Sequence, residues 1–487
     1  MSTKKSGITE KIGDPGHMSL EEFRKNGYAA IDWLCDYFDR IESYPVLSKV
    51  KPGQIQSSLP SSPPINAEPF SRIMEDLDEV ILPGITHWQA PGFFGYFPAN
   101  ASPPSILAEI FSAGLGVQGM LWLTSPSCTE LEILVLDWIV EMMDLPDMYK
   151  SSGFGGGVIQ DSASSAVLCA VIAARDLTKA RAACEGGQSR LIGYCSEDAH
   201  SSVEKAFAIA GLGRENLRKI PVDSDGSLSD SILEKQIALD LSEDLRPFFI
   251  CGTVGSTSRL SRDPIKKIGR LAGLNDCWLH VDSAMAGTAA VCPEFRYLNE
   301  GIELADSYCF NPHKWMLTNF DCNCFYVKDK KNLISALSIL PEYLRNPRAL
   351  DRPVVDFRDW QIPLGRRFRA LKLWFVIRSY GVEGIREYLR GHVKMASKFA
   401  NWIEAEKDFE LISYTGLNLV CFRVDGSDAK NEALLNKINE TGSIFLSHTV
   451  IDGRFSLRLC VGQVRVTEQT VLRAWQVIKT CASGIET

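Results

Sequence analysis

Two short apolar runs, each ending in a residue that an apolar setting penalises, constrain this chain most. Trp278-Leu279-His280-Val281 leads into Asp282, and Ser307-Tyr308-Cys309-Phe310 leads into Asn311-Pro312-His313-Lys314-Trp315. A third run, Cys324-Phe325-Tyr326-Val327, follows. All three read as strands. A carboxylate at a buried strand end costs several kcal/mol unless it is paired. An ammonium there loses hydration, so its pKa falls and a neutral, nucleophilic amine becomes accessible. The plain alternative for Lys314 is a side chain snorkelling from a strand end to water.

Strand-like runs alternate with helical stripes over much of the chain. Residues 190–196 and 248–252 read as strands and 264–274 as a helix, while Leu131, Leu134, Val135, Trp138, Ile139 and Met142 form a strong helical stripe. This rhythm predicts an α/β fold with a mostly parallel sheet covered on both faces. Ligands of such sheets gather beyond strand ends, where the loops carrying His200, Thr257, Asp282 and Lys314 fall. Gly153-Phe154-Gly155-Gly156-Gly157 would let backbone approach a ligand. Ser162-Ala163-Ser164-Ser165, ahead of a helix expected from Val167, would leave free N–H groups for an anion such as phosphate; a simple turn is the alternative. A lysine suited to a Schiff base, an acid suited to a protonated pyridine nitrogen and a phosphate site together point to pyridoxal 5′-phosphate.

With 487 residues, 45% hydrophobic and 23% charged, the chain has room for two or three domains, and a net charge of −8 argues against a nucleic-acid partner. Its 14 cysteines are scattered without zinc-ligand spacing, so no metal is expected. The absence of a secretory signal suggests reduced thiols and a cytoplasmic location. Residues 106–123 are apolar but contain Glu109, Gln118 and three glycines, so no membrane span is expected. Residues 1–17 read as a disordered tail. Ser19-Leu20-Glu21-Glu22 is a capping-box pattern ahead of the stripe Phe23, Gly27, Ala30, Ile31, Leu34, Phe38 and Ile41. A second stripe, Ile73, Met74, Leu77, Val80 and Ile81, follows a Pro/Ser-rich link. Helices of this kind must pack on something else. Phe93, Phe94, Tyr96 and Phe97 crowd an irregular Gly/Pro stretch, where they could wall a pocket or pack a loop. Residues 328–352 read as a mobile loop. A C-terminal domain is expected from about 394, with strand alternation at Phe455, Leu457, Leu459 and Val461 and a last helix over 467–478.

The motifs His280-Val281-Asp282-Ser283-Ala284, Asn311-Pro312-His313-Lys314-Trp315, Thr318-Asn319-Phe320-Asp321-Cys322 and Pro363-Leu364-Gly365-Arg366-Arg367-Phe368-Arg369 resemble those of the group II pyridoxal phosphate-dependent aromatic L-amino acid decarboxylases. The resemblance runs from about residue 19 to 478. It implies pyridoxal-phosphate fold type I, the aspartate aminotransferase-like α/β fold. The expected division is an N-terminal helical arm over 18–100, a large cofactor-binding domain over 101–393 and a small α+β domain over 394–487. It also implies a homodimer, with active sites at the subunit interface and the arm laid on the partner.

Carried over residue by residue, the resemblance makes Lys314 the Schiff-base lysine, Asp282 the partner of the pyridine nitrogen and His200 the ring-stacking imidazole. As a lone residue His200 would more often be structural. Ala163, Ser164, Thr257, Ala284, Asn311 and His313 complete the expected cofactor contacts. Trp88, Tyr96, Phe97, Pro98, Ala99 and Gly365 are the expected substrate contacts, with Gln118 and Met120 supplied by the partner subunit. Tyr343 is the expected proton donor to the substrate Cα. In the plant branch decarboxylases have Tyr at that position and aldehyde formers have Phe, while insect aldehyde formers replace the histidine by Asn. Tyr343 and His200 therefore predict decarboxylation of an aromatic amino acid to the arylalkylamine, with oxidative aldehyde synthesis as the alternative. Gly at 365 goes with indolic substrates in plant members, so tryptophan comes first, ahead of phenylalanine, tyrosine and DOPA. Gly365 could equally be a helix-start glycine. Ala99, Gln118, Met120 and Met285 depart from common family residues and bear on substrate choice.

Overall fold

The computed structural model describes residues 17–185, 190–339 and 354–485. The capping box forms as expected. Ser19 Oγ accepts from Glu22 N at 3.2 Å, the Glu22 carboxylate accepts from Ser19 N at 2.9 Å, and α1 (Leu20–Arg40) starts there. No residue of α1 is fully buried. Short α2 (Gln54–Ser58) and α3 (Phe70–Asp76) follow, and the second stripe leaves α3 through a wider π turn at Leu77–Ile81. Next come α4 (Pro103–Leu115) and α5 (Pro126–Met143), the latter capped by Ser125. No helix of the described residues is long and apolar enough to cross a membrane.

The alternating segment then runs β1 (Gly156–Gln160), α6 (Ala163–Glu185), β2 (Leu191–Ser196), α7 (Ser202–Ile209), β3 (Leu217–Ile220), α8 (Asp230–Ser242), β4 (Arg246–Thr253), α9 (Ile265–Leu274), β5 (Trp278–Asp282), β6 (Ser307–Phe310), α10 (Pro312–Trp315) and β7 (Asn323–Val327). Among the described residues these strands form one seven-stranded sheet, β1-β7-β6-β5-β4-β2-β3. Only β7 runs against its neighbours. Every residue of β5, β6 and β7 is buried, which explains why these strands read as continuous runs. Successive residues serve opposite cores. Leu279, Val281, Tyr308 and Phe310 pack towards α5, while Trp278, Cys309 and Phe325 pack towards α6.

Three expectations need correction. The glycine run does not bring backbone to a ligand. A Cβ at Gly155 would lie 2.5 Å from Val327 O, and one at Gly157 would lie 2.7 Å from the Tyr326 ring. The glycines seat β1 against β7. Next, α6 begins at Ala163 rather than Val167, so Ala163 and Ser164 form its first turn. Finally, the segment read as a loop from 328 contains α11 (Lys330–Leu337), capped by Asp329 and anchored by buried Leu333. Its lysines and single buried residue hid the helical period. Residues 340–353 lie outside the described residues.

After that segment comes α12 (Arg369–Ala405), turned at Gly381, where φ is 65°. Leu373, Val376 and Leu389 belong to the large core, whereas Ala396, Phe399 and Ile403 belong to a second core. That core covers an antiparallel sheet ordered β10-β11-β9-β8, built from β8 (Phe409–Tyr414), β9 (Leu419–Val424), β10 (Ser447–Ile451) and β11 (Arg454–Cys460), with the helices α13 (Asp428–Glu440) and α14 (Glu468–Ser483) packed on it. Residue 394 falls inside α12.

One ion pair locks α5 to the start of α12. Arg366 Nη2 donates to Glu132 Oε1 at 2.6 Å and to Ile159 O at 2.9 Å, and both side chains are almost wholly buried. Removing one partner strands the other charge. Glu132→Ala is expected to lower stability by about 3–5 kcal/mol, measured by urea denaturation.

Candidate active site

Thr253 ends β4 and Asp282 ends β5, while β6 runs through Asn311 into α10, whose third residue is Lys314. On the same side, β1 leads to the first turn of α6, and β2 leads to the loop of His200. All nine residues expected at a cofactor line one cavity of about 200 Å³ there. Phe97, Ser162, Thr253, Gly255 and Met285 line it with them. A larger cavity, about 500 Å³, lies between the end of α1 and α14 and contains none of these residues.

Asp282 is buried, and its Oδ1 accepts from Ala284 N at 3.0 Å and lies 3.9 Å from Cys309 Sγ. Lys314 Nζ sits 5.0 Å from the centroid of the Phe97 ring. Burial lowers the Lys314 pKa, and the Asp282 charge opposes that shift. Lys314 retains partial surface exposure because it borders the cavity. His200 Nδ1 accepts from Ser202 N at 3.2 Å and lies 2.9 Å from Ser202 Oγ. A backbone N–H can only donate, so the neutral ring carries its proton on Nε2. Much of His200 is accessible, yet partial enclosure lowers its pKa; Asp282 opposes this and Lys314 reinforces it. His313 Nδ1 likewise accepts from Cys322 N at 2.9 Å.

Three buried imidazoles are held neutral. Burial pushes His280 down to about 4, and His313 and His392 down to about 3. Unfolded, each would titrate near pH 6.5. The folded values lie below the unfolded one, so the unfolded chain binds more protons as pH falls below about 6.5. Stability is therefore lost towards acid, by about 1.4 kcal/mol per pH unit for each group until its folded pKa is reached. Urea midpoints should be lower at about pH 5 than at about pH 7.

The residues present fit pyridoxal 5′-phosphate at three points. Among the described residues no hydrogen bond reaches the Lys314 amine, Asp282 Oδ2 or the backbone N–H of Ala163 and Ser164. These unengaged groups are an amine for an aldehyde, a carboxylate oxygen for a ring nitrogen and a helix N-terminus for a phosphate. No group of His, Cys, Asp and Glu among the described residues could hold a metal ion.

Seven of the eight expected substrate residues do not reach this cavity in a single chain; Phe97 does. Trp88 and Tyr96 stack on each other with centroids 5.7 Å apart, both exposed. Pro98 packs against Gly462, and Ala99 O accepts from Gln89 Nε2 at 2.5 Å. Gln118 and Gly365 share a separate cleft, and Met120 O accepts from Arg358 N. Tyr343 lies outside the described residues. Arg458 escaped the sequence reading. It lies 5.5 Å from the Phe97 ring centroid and donates to Thr257 O at 2.7 Å and Ser447 Oγ at 2.9 Å, tying β11 to the cavity wall. A lone arginine within an alternating strand carries no signal of such a role.

A mostly parallel sheet with an antiparallel β7, and a lysine, an acid and a helix N-terminus around one cavity at its strand ends, define a pyridoxal-phosphate enzyme of fold type I. The chain belongs to the pyridoxal-dependent decarboxylase family, whose conserved domain matches residues 52–425. It is 44% identical to tyrosine decarboxylase 2 of Narcissus pseudonarcissus over 96% of this chain and 95% of that protein. It is 43% identical to a phenylacetaldehyde synthase of Arabidopsis thaliana over 96% of this chain and 97% of that protein. The crystal structure of Oryza sativa TDC with PLP and tryptamine matches with a TM-score of 0.94 and 38% identity, covering 96% of this chain and 98% of that one.

Proposed function

We propose that this enzyme decarboxylates an aromatic L-amino acid to the arylalkylamine and carbon dioxide. The observation that carries this is the convergence of Lys314, Asp282 and His200 on one cavity, in a chain whose relatives are named for aromatic substrates. Bound pyridoxal phosphate supplies an electron sink for the pair released when the Cα–carboxylate bond breaks. Lys314 would hold the cofactor through its aldehyde carbon, its amine being the nucleophile that borders the cavity. Asp282 offers Oδ2 to the ring nitrogen and keeps it protonated. The first turn of α6 would hold the phosphate, with Asn311 and His313 on the phosphate side and Thr257 a further cofactor contact. His200 would cover the ring, with its Nε2–H available to the substrate, and Phe97 would keep water from the amine. Tyr343 returns a proton to Cα.

The second reading, aldehyde synthesis with dioxygen, is favoured by the phenylacetaldehyde synthase relative. Retention of Tyr343 and His200 supports decarboxylation instead. Purified enzyme given tryptophan, phenylalanine, tyrosine, DOPA, 5-hydroxytryptophan, histidine and glutamate should release carbon dioxide and amine in equal amounts from an aromatic substrate. Aldehyde and peroxide equal to the carbon dioxide would reverse the assignment. Tryptophan comes first because Gly365 matches the glycine that goes with indolic substrates in plant members of the family and adds no side chain of its own.

That specificity requires Gln118, Met120 and Gly365 to reach the cavity of a second copy. A homodimer, with residues 18–100 as the arm and the main division near 394, fits the exposed apolar side chains Leu20, Phe23 and Tyr28 of α1 and Leu107, Ile110 and Phe111 of α4. The described cysteines are all free thiols, in keeping with a reducing cytoplasm.

A further inference from the structure

The parallel pairing of β5 with β6 sets His280 beside Ser307 and Asp282 beside Cys309. With Trp278, these polar side chains lie on the α6 side of the sheet, among the apolar side chains of that core. Trp278 Nε1 lies 2.8 Å from Ser307 Oγ, and Ser307 Oγ lies 2.8 Å from His280 Nδ1. His280 Nε2 lies 3.7 Å from Cys309 Sγ, and Cys309 Sγ lies 3.9 Å from Asp282 Oδ1.

Counting protons gives this chain one direction. An indole N–H only donates, so Ser307 Oγ accepts from Trp278. The buried Ser307 hydroxyl has one further partner among the described residues, His280 Nδ1, and must donate to it to satisfy its own proton. The neutral imidazole then carries its proton on Nε2, facing Cys309 Sγ. Asn323, the other polar side chain near the thiol, gives its Nδ2 protons to Phe310 O and Asn311 Oδ1, and its Oδ1 has no hydrogen-bond partner among the described residues. Among the described residues the carboxylate oxygen that meets the Cys309 thiol in hydrogen-bonding geometry is Asp282 Oδ1, at 3.9 Å.

We propose that Cys309 is a positioning residue: its thiol, oriented by His280, donates to Asp282 Oδ1 and leaves Oδ2 turned to the cofactor's ring nitrogen. With Ala284 N–H on the same oxygen, Oδ1 is engaged twice and the carboxylate cannot rotate freely. This rests on the role proposed above for Asp282. A thiol is a weak donor at these distances, so the expected effect is moderate.

The test measures pyridoxal phosphate affinity by titrating apo-protein and following the cofactor's visible absorbance. Cys309→Ala should weaken binding about tenfold. Cys309→Ser, which keeps a donor, should stay within about threefold of the parent. Cys195→Ala, which empties an equally buried thiol site elsewhere on the sheet, should bind as the parent does. If Cys309→Ala does not fold, His280→Phe removes the Nε2–H while keeping a ring between Phe249 and Phe325, and carries the same expectation. The proposal is overturned if Cys309→Ala binds like the parent while Asp282→Asn binds weakly. It is also overturned if the serine variant is as weak as the alanine variant, which would mark a packing role. Unchanged binding by Asp282→Asn would instead remove the role of Asp282 itself, and this proposal with it.

Discussion

Lys314→Ala is expected to fold like the parent and to lose turnover by on the order of 10⁴-fold or more. Among the described residues the Lys314 amine makes no hydrogen bond, only the contact over Phe97. Its removal therefore breaks no hydrogen bond, although Asp282 loses a neighbouring positive charge. What disappears is the nucleophile proposed to hold the cofactor's aldehyde carbon. Carbon dioxide release should fall to background and the visible absorbance of the bound cofactor should be lost, with the thermal midpoint little changed. Turnover within about tenfold of the parent would show that another amine does this work.

Asp282→Asn is expected to lower kcat by on the order of 10²–10³-fold with a smaller change in KM. The amide has almost the same shape and can still accept from Ala284 N, but it carries no charge to keep a ring nitrogen protonated. The loss then falls on the step in which electrons enter the ring rather than on substrate capture. The same substitution removes the charge that raises the Lys314 pKa against its burial. The pH dependence of cofactor binding should shift with it. A variant in which KM rises while kcat holds would place Asp282 at the substrate instead.

The sheet and the cofactor end of the cavity were legible in the sequence because they rest on local signals. Asp282 and Lys314 stand out as charges after runs buried on both faces, and the α6 turn stands out as small hydroxyl residues before an apolar stripe. Other features depend on what lies across space. The glycines at 155–157 look like a ligand loop, and only the closeness of β7 shows that they serve strand packing. The helix at Lys330–Leu337 has one buried residue and so almost no period. Cys309 reads as a small core residue; only the pairing of β5 with β6 places it beside Asp282. For Trp88, Tyr96, Gln118 and Gly365 the sequence carried a family likeness, and a single chain does not bring them to the cavity.

Because α12 is stitched into both cores, turning at Gly381 and changing company between Leu389 and Ala396, the two units should share one melting event rather than own separate ones. A chain cut anywhere within that rod would bare an oily flank on whichever piece kept it. Recombining the catalytic body with a foreign tail piece would thus have to graft the whole rod, not a junction at residue 394.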